Sequence, residues 1–393
     1  MTTYIGAREA ARLLGVTKPT LYAYVSRGML DRRTAVDGRT SLYAREQVLQ
    51  LAGRGRAKET TDRPSIDTQV TSSITELRDE GLRYRGHDVS ELARTCSFEQ
   101  VAELLWSGEL PGNPVRWSVD RHTETRVLTA VAGTDVRQPL SRLIVAAAVL
   151  DDERPADDPI TAGQTLLGVA PSLLGGDRRG SLAQRLASAW HRSPSPELVR
   201  AIDCALVLLA DHELATSTLA VRVAASVRSS TYASVNAGLA TVRGPYHGGA
   251  SSAAAALLAE AEATDAATAV ANRLATGARL PGFGHSVYRN EDPRLAPLLE
   301  AVVAIGAPAH RHAGVRAVQQ VGVEILGRHA NIDFGLGALI HVAQLPIDMP
   351  VFAVARIAGW VAHDAEERTE RPVRYRGLAR PPGTVGSWPT RNP

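Results

Sequence analysis

The sequence has 393 residues, of which 44% are hydrophobic and 22% are charged. This composition excludes an intrinsically disordered chain, and the length predicts two or three domains. Residues 1–58 carry 11 basic and four acidic side chains, a net charge of +7, whereas the remainder carries −4, from 33 basic and 37 acidic residues. A basic head followed by a mildly acidic body indicates two modules with different partners.

Neither the cysteines nor the apolar segments point to an export route. Cys96 and Cys204 are too few for a disulfide framework and form no Cys-x-x-Cys pair. The first residues contain no apolar signal core, and the longest uncharged apolar run, Leu143–Leu150, is far too short to cross a bilayer. We therefore expect a cytoplasmic protein with reduced thiols and no membrane partner.

The first predicted elements are two short helices. AREAARLL (7–14) repeats its apolar residues at helical spacing, and Thr17 is suited to cap a second helix that runs to about Ser26. Pro19 would lie in the first turn, where its missing N–H costs little. Asp37-Gly38 then predicts a hairpin between short strands, followed by a short helix over Arg45–Leu51.

Two helices joined by a tight turn and followed by a basic hairpin are typical of a winged helix-turn-helix. AREAARLLGVTKPTLYAYVSRGML resembles the MerR/excisionase type, and the resemblance covers about residues 4–52. It implies a DNA-binding domain over residues 1–58, with the second helix in the major groove and a basic wing on phosphates. The candidate DNA contacts are Lys18, Thr20, Tyr22, Arg27 and Arg39. The alternatives are a helical oligomerisation module or a relic that no longer binds DNA.

Beyond a turn-rich linker over residues 59–65, the body has a mainly helical pattern. A small strand pair is the exception, expected within Val70–Tyr84. The helical segments include 139–151, 182–191, 197–209, 217–228, 232–242, 250–276 and 314–328.

Titratable side chains gather beside glycines in a few segments of the body. These are ADHELATST (210–218), GPYHGGAS (244–251), PGFGHSVYRNEDPR (281–294), NIDFGLG (331–337) and the arginine-rich AVARIAGWVAHDAEERTERP (353–372). Glycine permits close approach of the backbone to a ligand, His and Asp supply acid–base capacity, and arginine forks suit carboxylates. The glycines do not follow the dinucleotide spacing, no phosphate-binding loop is present, and the paired histidines of AHRHAG (309–314) lack a carboxylate partner for a metal. His329, His341 and His363 have no distinguishing sequence context.

These segments resemble the citrate synthase family in their order and spacing, as do GLRYRGHDVSEL (81–92) and SFEQVAELLWSGELP (97–111). The resemblance runs from about Val70 to Gly377. The resemblance implies a mainly α, two-domain helical fold preceded by the small winged helix-turn-helix domain. The large domain would comprise residues 66–247 and 346–393, and the small domain residues 248–345.

The resemblance also implies a reaction, the condensation of oxaloacetate with acetyl-CoA or propionyl-CoA to citrate or 2-methylcitrate. Asp333 would be the base that removes a proton from the thioester methyl or methylene group. His247 would donate a hydrogen bond to the thioester carbonyl, and His285 to the ketone of oxaloacetate. The acyl-CoA is a co-substrate, and neither a cofactor nor a metal is expected.

By the same resemblance, several cations would hold the two carboxylates of oxaloacetate. These would be Arg294, Arg356 and Arg371, the last from the partner subunit of a homodimer, with His212 completing the contacts. Arg374 is the alternative to Arg371. Arg289 lies where the family often places a basic residue on CoA phosphates.

Some residues depart from the family pattern. Leu209 stands where histidine is frequent, and Ala215 and Ser251 where asparagine is common. The largest departure is the basic head. A transcriptional regulator that uses the citrate synthase fold as a metabolite sensor is therefore the alternative to an enzyme of the tricarboxylic acid cycle type.

Overall fold

The computed structural model describes residues 4–14, 16–26, 30–34, 41–45, 47–48, 69–78, 81–153, 158–244, 248–285, 287–288 and 290–377. The chain divides into two compact units, Met1–Thr71 and Ser72–Pro393. The linker predicted over 59–65 lies outside the described residues, and the division of the body at 248 and 346 stays a prediction.

The first unit contains both predicted helices and the strand pair. Its elements are β1 (Tyr4–Gly6), α1 (Ala7–Leu14), α2 (Lys18–Ser26), β2 (Arg32–Thr34) and β3 (Ser41–Ala44). The strands form an antiparallel sheet in the order β1-β3-β2, so that β2 is an edge strand. Strand β1 was not predicted, because its three residues are too few to show a period. Asp37-Gly38 and most of the predicted helix 45–51 lie outside the described residues.

A small core holds this unit together. One face of α1 packs with α2 and with the sheet, and the Val16 N–H closes the turn after α1 on the Ala11 carbonyl at 3.0 Å. The buried apolar side chains are those of Ile5, Ala10, Ala11, Leu21, Leu30, Tyr43 and Val48.

The second unit begins with the predicted hairpin and continues in helices. Strands β4 (Thr75–Arg78), β5 (Gly81–Tyr84) and β6 (His87–Asp88) pair antiparallel, with Leu77 opposite Leu82. The helices, in chain order, are α3 (Val89–Thr95), α4 (Phe98–Ser107), α5 (Arg121–Ala132), α6 (Pro139–Glu153), α7 (Pro159–Leu173), α8 (Leu182–Trp190), α9 (Pro196–Leu209), α10 (Thr216–Ser226), α11 (Thr231–Val242), α12 (Ala250–Ala263), α13 (Ala266–Ala275), α14 (Leu295–Ala304), α15 (Ala309–Leu326), α16 (Ile332–Ala343) and α17 (Val351–Thr369).

The prediction of one continuous helical segment over 250–276 is wrong. The chain leaves the helix at Thr264 and restarts at Asp265, whose carboxylate accepts from the Thr268 N–H at 2.9 Å. An aspartate stabilises a helix start by satisfying a free N–H in this way, so a cap residue outweighs the alanine-rich helical propensity on either side.

Helices α16 and α17 form the interior of the second unit and carry the candidate site at their ends. Both are mostly buried. Helix α16 can pack closely on α12 because Gly337 has no side chain, and a Cβ there would clash with Ala254. Likewise, Gly238 of α11 lies against the indole of Trp360. Among the helices described, none has the length and apolar character needed to span a bilayer.

Candidate active site

The start of α16 is fastened to the segment that carries His285. The Asn331 N–H donates to the Gly282 carbonyl at 2.9 Å, and the Asn331 side-chain amide donates to the Gly284 carbonyl at 2.7 Å. The Asn331 side-chain oxygen in turn accepts from the Asp333 N–H at 3.0 Å and caps the helix. One asparagine therefore holds Asp333 beside the PGFGH segment.

Glycine is required in this segment because the two backbones almost touch. Gly282 has φ +79°, and a Cβ there would come within 2.8 Å of the Phe334 Cα. A side chain would both strain the backbone and displace α16. The glycine-flanked break predicted from sequence thus has a specific cause.

A buried ion pair forms the second link between these segments. Both oxygens of Asp292 accept from the Arg294 guanidinium, each at 2.9 Å, and Asp292 also accepts from the Ile332 N–H at 3.0 Å. An Arg294 nitrogen lies 3.5 Å from Nε2 of His285. The carboxylate of Asp292, which sequence reasoning did not single out, therefore positions Arg294 and the start of α16 together.

His285 has a defined proton position. Its Nδ1 accepts from the N–H groups of Val287 at 3.1 Å and Tyr288 at 3.3 Å. A nitrogen that accepts carries no proton. The two contacts at Nδ1 are shorter than the 3.5 Å that separates Nε2 from the Arg294 guanidinium, which can also only donate, so we assign the proton of neutral His285 to Nε2. Burial and the neighbouring Arg294 lower the pKa of His285, which keeps the ring neutral.

His212 completes a cluster of rings. Its ring lies 5.4 Å from that of His285, and its Nε2 lies 3.0 Å from the hydroxyl of Tyr288. Burial, reinforced by the charges of Arg294 and Arg356, lowers the pKa of His212 to about 2. The ring is therefore a neutral hydrogen-bonding group and not a cation.

Asp333 is a stronger base than an ordinary aspartate. The residue is partly exposed, but its carboxyl group is surrounded by protein. Burial raises the pKa of Asp333 from 3.8 to about 6, and the charges of Arg294 and Arg356 oppose this rise. A carboxylate with a pKa near 6 is better matched to proton abstraction at neutral pH than one near 4.

Arg356 is a buried arginine on α17. It is 1% exposed, donates to the Leu209 carbonyl at 2.8 Å and lies over the ring of Phe352. Burial lowers the pKa of Arg356, while the charge of Asp211 counteracts it. The position occupied by Leu209 in place of the family's histidine thus supplies a backbone acceptor.

A buried polar chain continues from Asp211 away from the site. Asp211 accepts from the Thr75 hydroxyl at 2.5 Å and lies 3.3 Å from His363, whose Nδ1 accepts from Arg222 at 3.0 Å. Arg222 pairs with Glu367 at 2.8 Å. Burial, the largest single influence, would raise the pKa of Asp211, but His363, Arg356 and the Thr75 hydroxyl together outweigh it and lower that pKa to about 2.

The sequence offered no signal for this set of contacts, because Thr75, Asp211 and Arg222 come from segments far from the helix that carries His363 and Glu367. His363 in particular had no distinguishing context and proves to be 1% exposed.

Of the remaining predicted residues, several lie outside the described part of the chain. These are His247, Arg289, Arg27 and Arg39, together with the side chain of Lys18. Arg371 follows α17 and is exposed. Two further predicted residues, Thr20 and Tyr22, lie in the described part of the first unit. The Thr20 hydroxyl lies 2.9 Å from that of Thr17, and Tyr22 is 46% exposed.

Arg374, the alternative to Arg371, is already engaged. It pairs with Glu367 through two contacts of 2.6 Å and lies over the ring of Tyr375. For Arg371, no such partner is found among the described residues. Within the same part of the chain, no group of three or more His, Cys, Asp or Glu side chains is arranged to hold a metal ion.

Comparison with known proteins shows which family the chain is similar to. The family model "Citrate synthase, C-terminal domain" matches residues 65–381. The chain is 29% identical over 335 residues to the 2-methylcitrate synthase of Mycobacterium tuberculosis H37Rv, covering 77% of this chain and 85% of that protein. It is 30% identical over 369 residues to "Putative citrate synthase 2" of the same organism, covering 83% and 96%.

Solved structures show the same fold. Citrate synthase from Pyrobaculum aerophilum superimposes with a TM-score of 0.66 at 25% identity, covering 82% of this chain and 92% of that one. The Thermoplasma acidophilum citrate synthase, solved with carboxymethyl coenzyme A and oxaloacetate, gives 0.67 at 24% identity over 84% and 98%. With the family model matching most of its length, the chain belongs to the citrate synthase family and is a citrate synthase-like enzyme.

Proposed function

We propose that the protein condenses oxaloacetate with acetyl-CoA or propionyl-CoA, releasing CoA and citrate or 2-methylcitrate. The family acts on oxaloacetate and an acyl-CoA co-substrate without a further cofactor. The observation that carries the proposal is the meeting of a base of raised pKa, Asp333, with two neutral histidines and two buried arginines.

Each group suits one step of the reaction. Asp333 removes a proton from the carbon next to the thioester carbonyl, and His247 stabilises the enolate oxygen that forms. The enolate carbon then attacks the ketone of oxaloacetate, while the Nε2–H of His285 donates to the developing alkoxide. Water hydrolyses the resulting thioester, which yields free CoA and the tricarboxylate.

The substrate carboxylates require fixed positive charge. Arg294 and Arg356 lie at the cluster, and His212 adds a neutral hydrogen bond. We propose that Arg371 reaches this site from a second copy of the chain, and that Arg289 contacts CoA phosphate.

An exposed apolar surface supports the proposal that two copies of the chain associate. Val223 on α10 lies one turn before Val227, the residue that follows this helix. The Val373 N–H donates to the Ser226 carbonyl at 2.9 Å, which brings the third valine next to them. They are 43%, 56% and 61% exposed. An exposed apolar patch of this kind suits an interface with a second copy.

The activity test is thiol release with oxaloacetate plus either thioester. We expect release with at least one of them and none with Asp333→Ala, whose fold is checked by circular dichroism. Wild-type protein that releases no thiol with either thioester would exclude the proposed activity. The ratio of the two kcat/KM values assigns citrate or 2-methylcitrate as the main product.

Mixing two inactive variants tests the shared site. Arg371→Ala and Asp333→Ala chains are refolded or exchanged together, so that heterodimers contain one site with both native residues. Random pairing should restore about a quarter of the wild-type activity. If Arg371 acted within its own chain, the mixture would stay inactive.

A second function, DNA binding by the first unit, is favoured by the edge strand β2. Its Arg32 and Arg33 are both exposed, as is Tyr22 on α2. We propose that they contact phosphates, with Lys18, Thr20, Arg27 and Arg39 as further contacts. For the full chain, the slope of log affinity against log salt should decrease by about one for each arginine replaced by alanine. Absence of binding at low salt would exclude this function, and with it the metabolite-sensing regulator.

A further inference from the structure

Tyr288 joins the two histidines of the cluster and has been given no role so far. Its hydroxyl lies 3.0 Å from Nε2 of His212, and its ring centroid lies 4.8 Å from that of His285. Its backbone N–H donates to Nδ1 of His285 at 3.3 Å, and the Arg294 guanidinium lies 5.5 Å from its ring. One residue thus contacts both rings whose hydrogen bonds the reaction uses.

The contact with His212 determines where that ring carries its proton. A phenol and a neutral imidazole can pair in two ways, but the phenol is the better donor and the unprotonated ring nitrogen the better acceptor. The hydroxyl therefore donates to Nε2 and leaves the proton of His212 on Nδ1. Within the described part of the chain, the Tyr288 hydroxyl is the hydrogen-bond partner found for this ring.

The contact with His285 has the opposite result. There the Tyr288 and Val287 N–H groups occupy Nδ1, so the proton lies on Nε2. The two rings then present N–H groups from different ring positions. This difference suits a ligand that offers a ketone oxygen to one ring and a carboxylate oxygen to the other.

Tyr288 also lines a cavity of about 480 Å³ that neither His212 nor His285 lines. The other lining residues include Arg78, Pro293 and His329. The tyrosine therefore contacts both the histidine cluster and this space.

We propose that Tyr288 is a positioning residue that holds His212 in the Nδ1–H form and His285 in the Nε2–H form. The two N–H groups are thereby aimed at the dicarboxylate substrate before it binds. The catalytic consequence rests on the proposed function, whereas the proton positions do not.

Nitrogen NMR of the ligand-free full chain, labelled with ¹⁵N at histidine, tests the proton positions directly. Protonated and unprotonated imidazole nitrogens give well-separated signals, and His212→Gln and His285→Gln variants assign them. We expect the wild type to show protonated Nδ1 in His212 and protonated Nε2 in His285. Tyr288→Phe keeps the ring, so it should alter the His212 signals and leave the form of His285 unchanged. The matched control is Tyr375→Phe, which removes a hydroxyl 3.1 Å from Glu367 and should move neither histidine.

Kinetics with oxaloacetate give the second measurement. Tyr288→Phe should raise KM for oxaloacetate and lower kcat/KM about tenfold, as expected for one lost hydrogen bond. A His212 ring protonated on Nε2 in the wild type, or unchanged His212 signals in Tyr288→Phe, would overturn the proposal. A wild type without thiol release would remove the proposed function only, since the ligand-free spectra still decide the role of Tyr288.

Discussion

Replacing Asp333 by asparagine should stabilise the fold at neutral pH while abolishing thiol release. Burial raises the pKa of Asp333 from 3.8 to about 6, so the folded protein binds this proton more tightly than the unfolded chain does. The stability of the wild type therefore falls as pH rises from about 4 to about 6 and stays reduced above that range. The rise in pKa corresponds to about 3 kcal/mol, which asparagine, being neutral, does not lose.

Urea unfolding at several pH values, followed by circular dichroism, measures this difference. Asp333→Asn should exceed the wild type by up to about 3 kcal/mol at pH 7.5, and the gap should nearly close at pH 4. Asp348→Asn removes the same charge from an exposed position and should change stability by less than about 0.5 kcal/mol at either pH. A gap that is equal at both pH values, or an asparagine variant less stable at pH 7.5, would refute the burial argument.

Three further predictions follow from the same contacts. In the wild type, kcat/KM should decrease as the pH falls below about 6, because Asp333 becomes protonated. An acidic limb of this pH profile centred near pH 4 would contradict the raised pKa of Asp333. Asp292→Asn removes a negative charge that raises the pKa of Asp333, so this limb should move to lower pH; an upward shift would be the wrong sign. The same change leaves a buried arginine without its carboxylate and should cost roughly 3–5 kcal/mol in urea unfolding. Gly359→Ala would place a methyl group against the Asp211 carboxylate and should cost about 1–3 kcal/mol, whereas Gly306→Ala, which has open space, should cost far less in the same assay.

Local signals were sufficient to predict the two helices of the head, but they missed strand β1. The apolar spacing of AREAARLL and the break before Lys18 predicted α1 and α2 because these helices are fixed by a few neighbouring residues. The single helix over 250–276 failed where helical propensity and a cap residue compete within the same few positions. Asp265 was visible in the sequence, but the alanine-rich pattern was given more weight.

The site was predictable as a set of segments but not as a set of contacts. The motifs named Asp333, His285 and Arg294, yet nothing in their spacing shows that Asp292 both pairs with the arginine and accepts from α16. Burial, which no local pattern encodes, changes Asp333 from an ordinary carboxylate into a base with a pKa of about 6. The chemistry of the site therefore depends on tertiary packing even where its residues are known.

The two buried arginines of the cluster do not supply enough positive charge to hold a doubly negative substrate. Arg294 is paired with Asp292, and Arg356 lies within electrostatic reach of Asp211, so each buried arginine already faces a buried carboxylate. A doubly charged substrate adds two more negative charges to a site whose base is itself an anion above about pH 6. Holding it requires positive charge beyond these two arginines, and Arg371 from a second copy is the cation that we propose. Affinity for oxaloacetate should then fall when the protein is diluted below the concentration at which the dimer dissociates, while the helical circular dichroism signal persists. If affinity did not change across that range of concentration, the additional charge would have to come from within one chain.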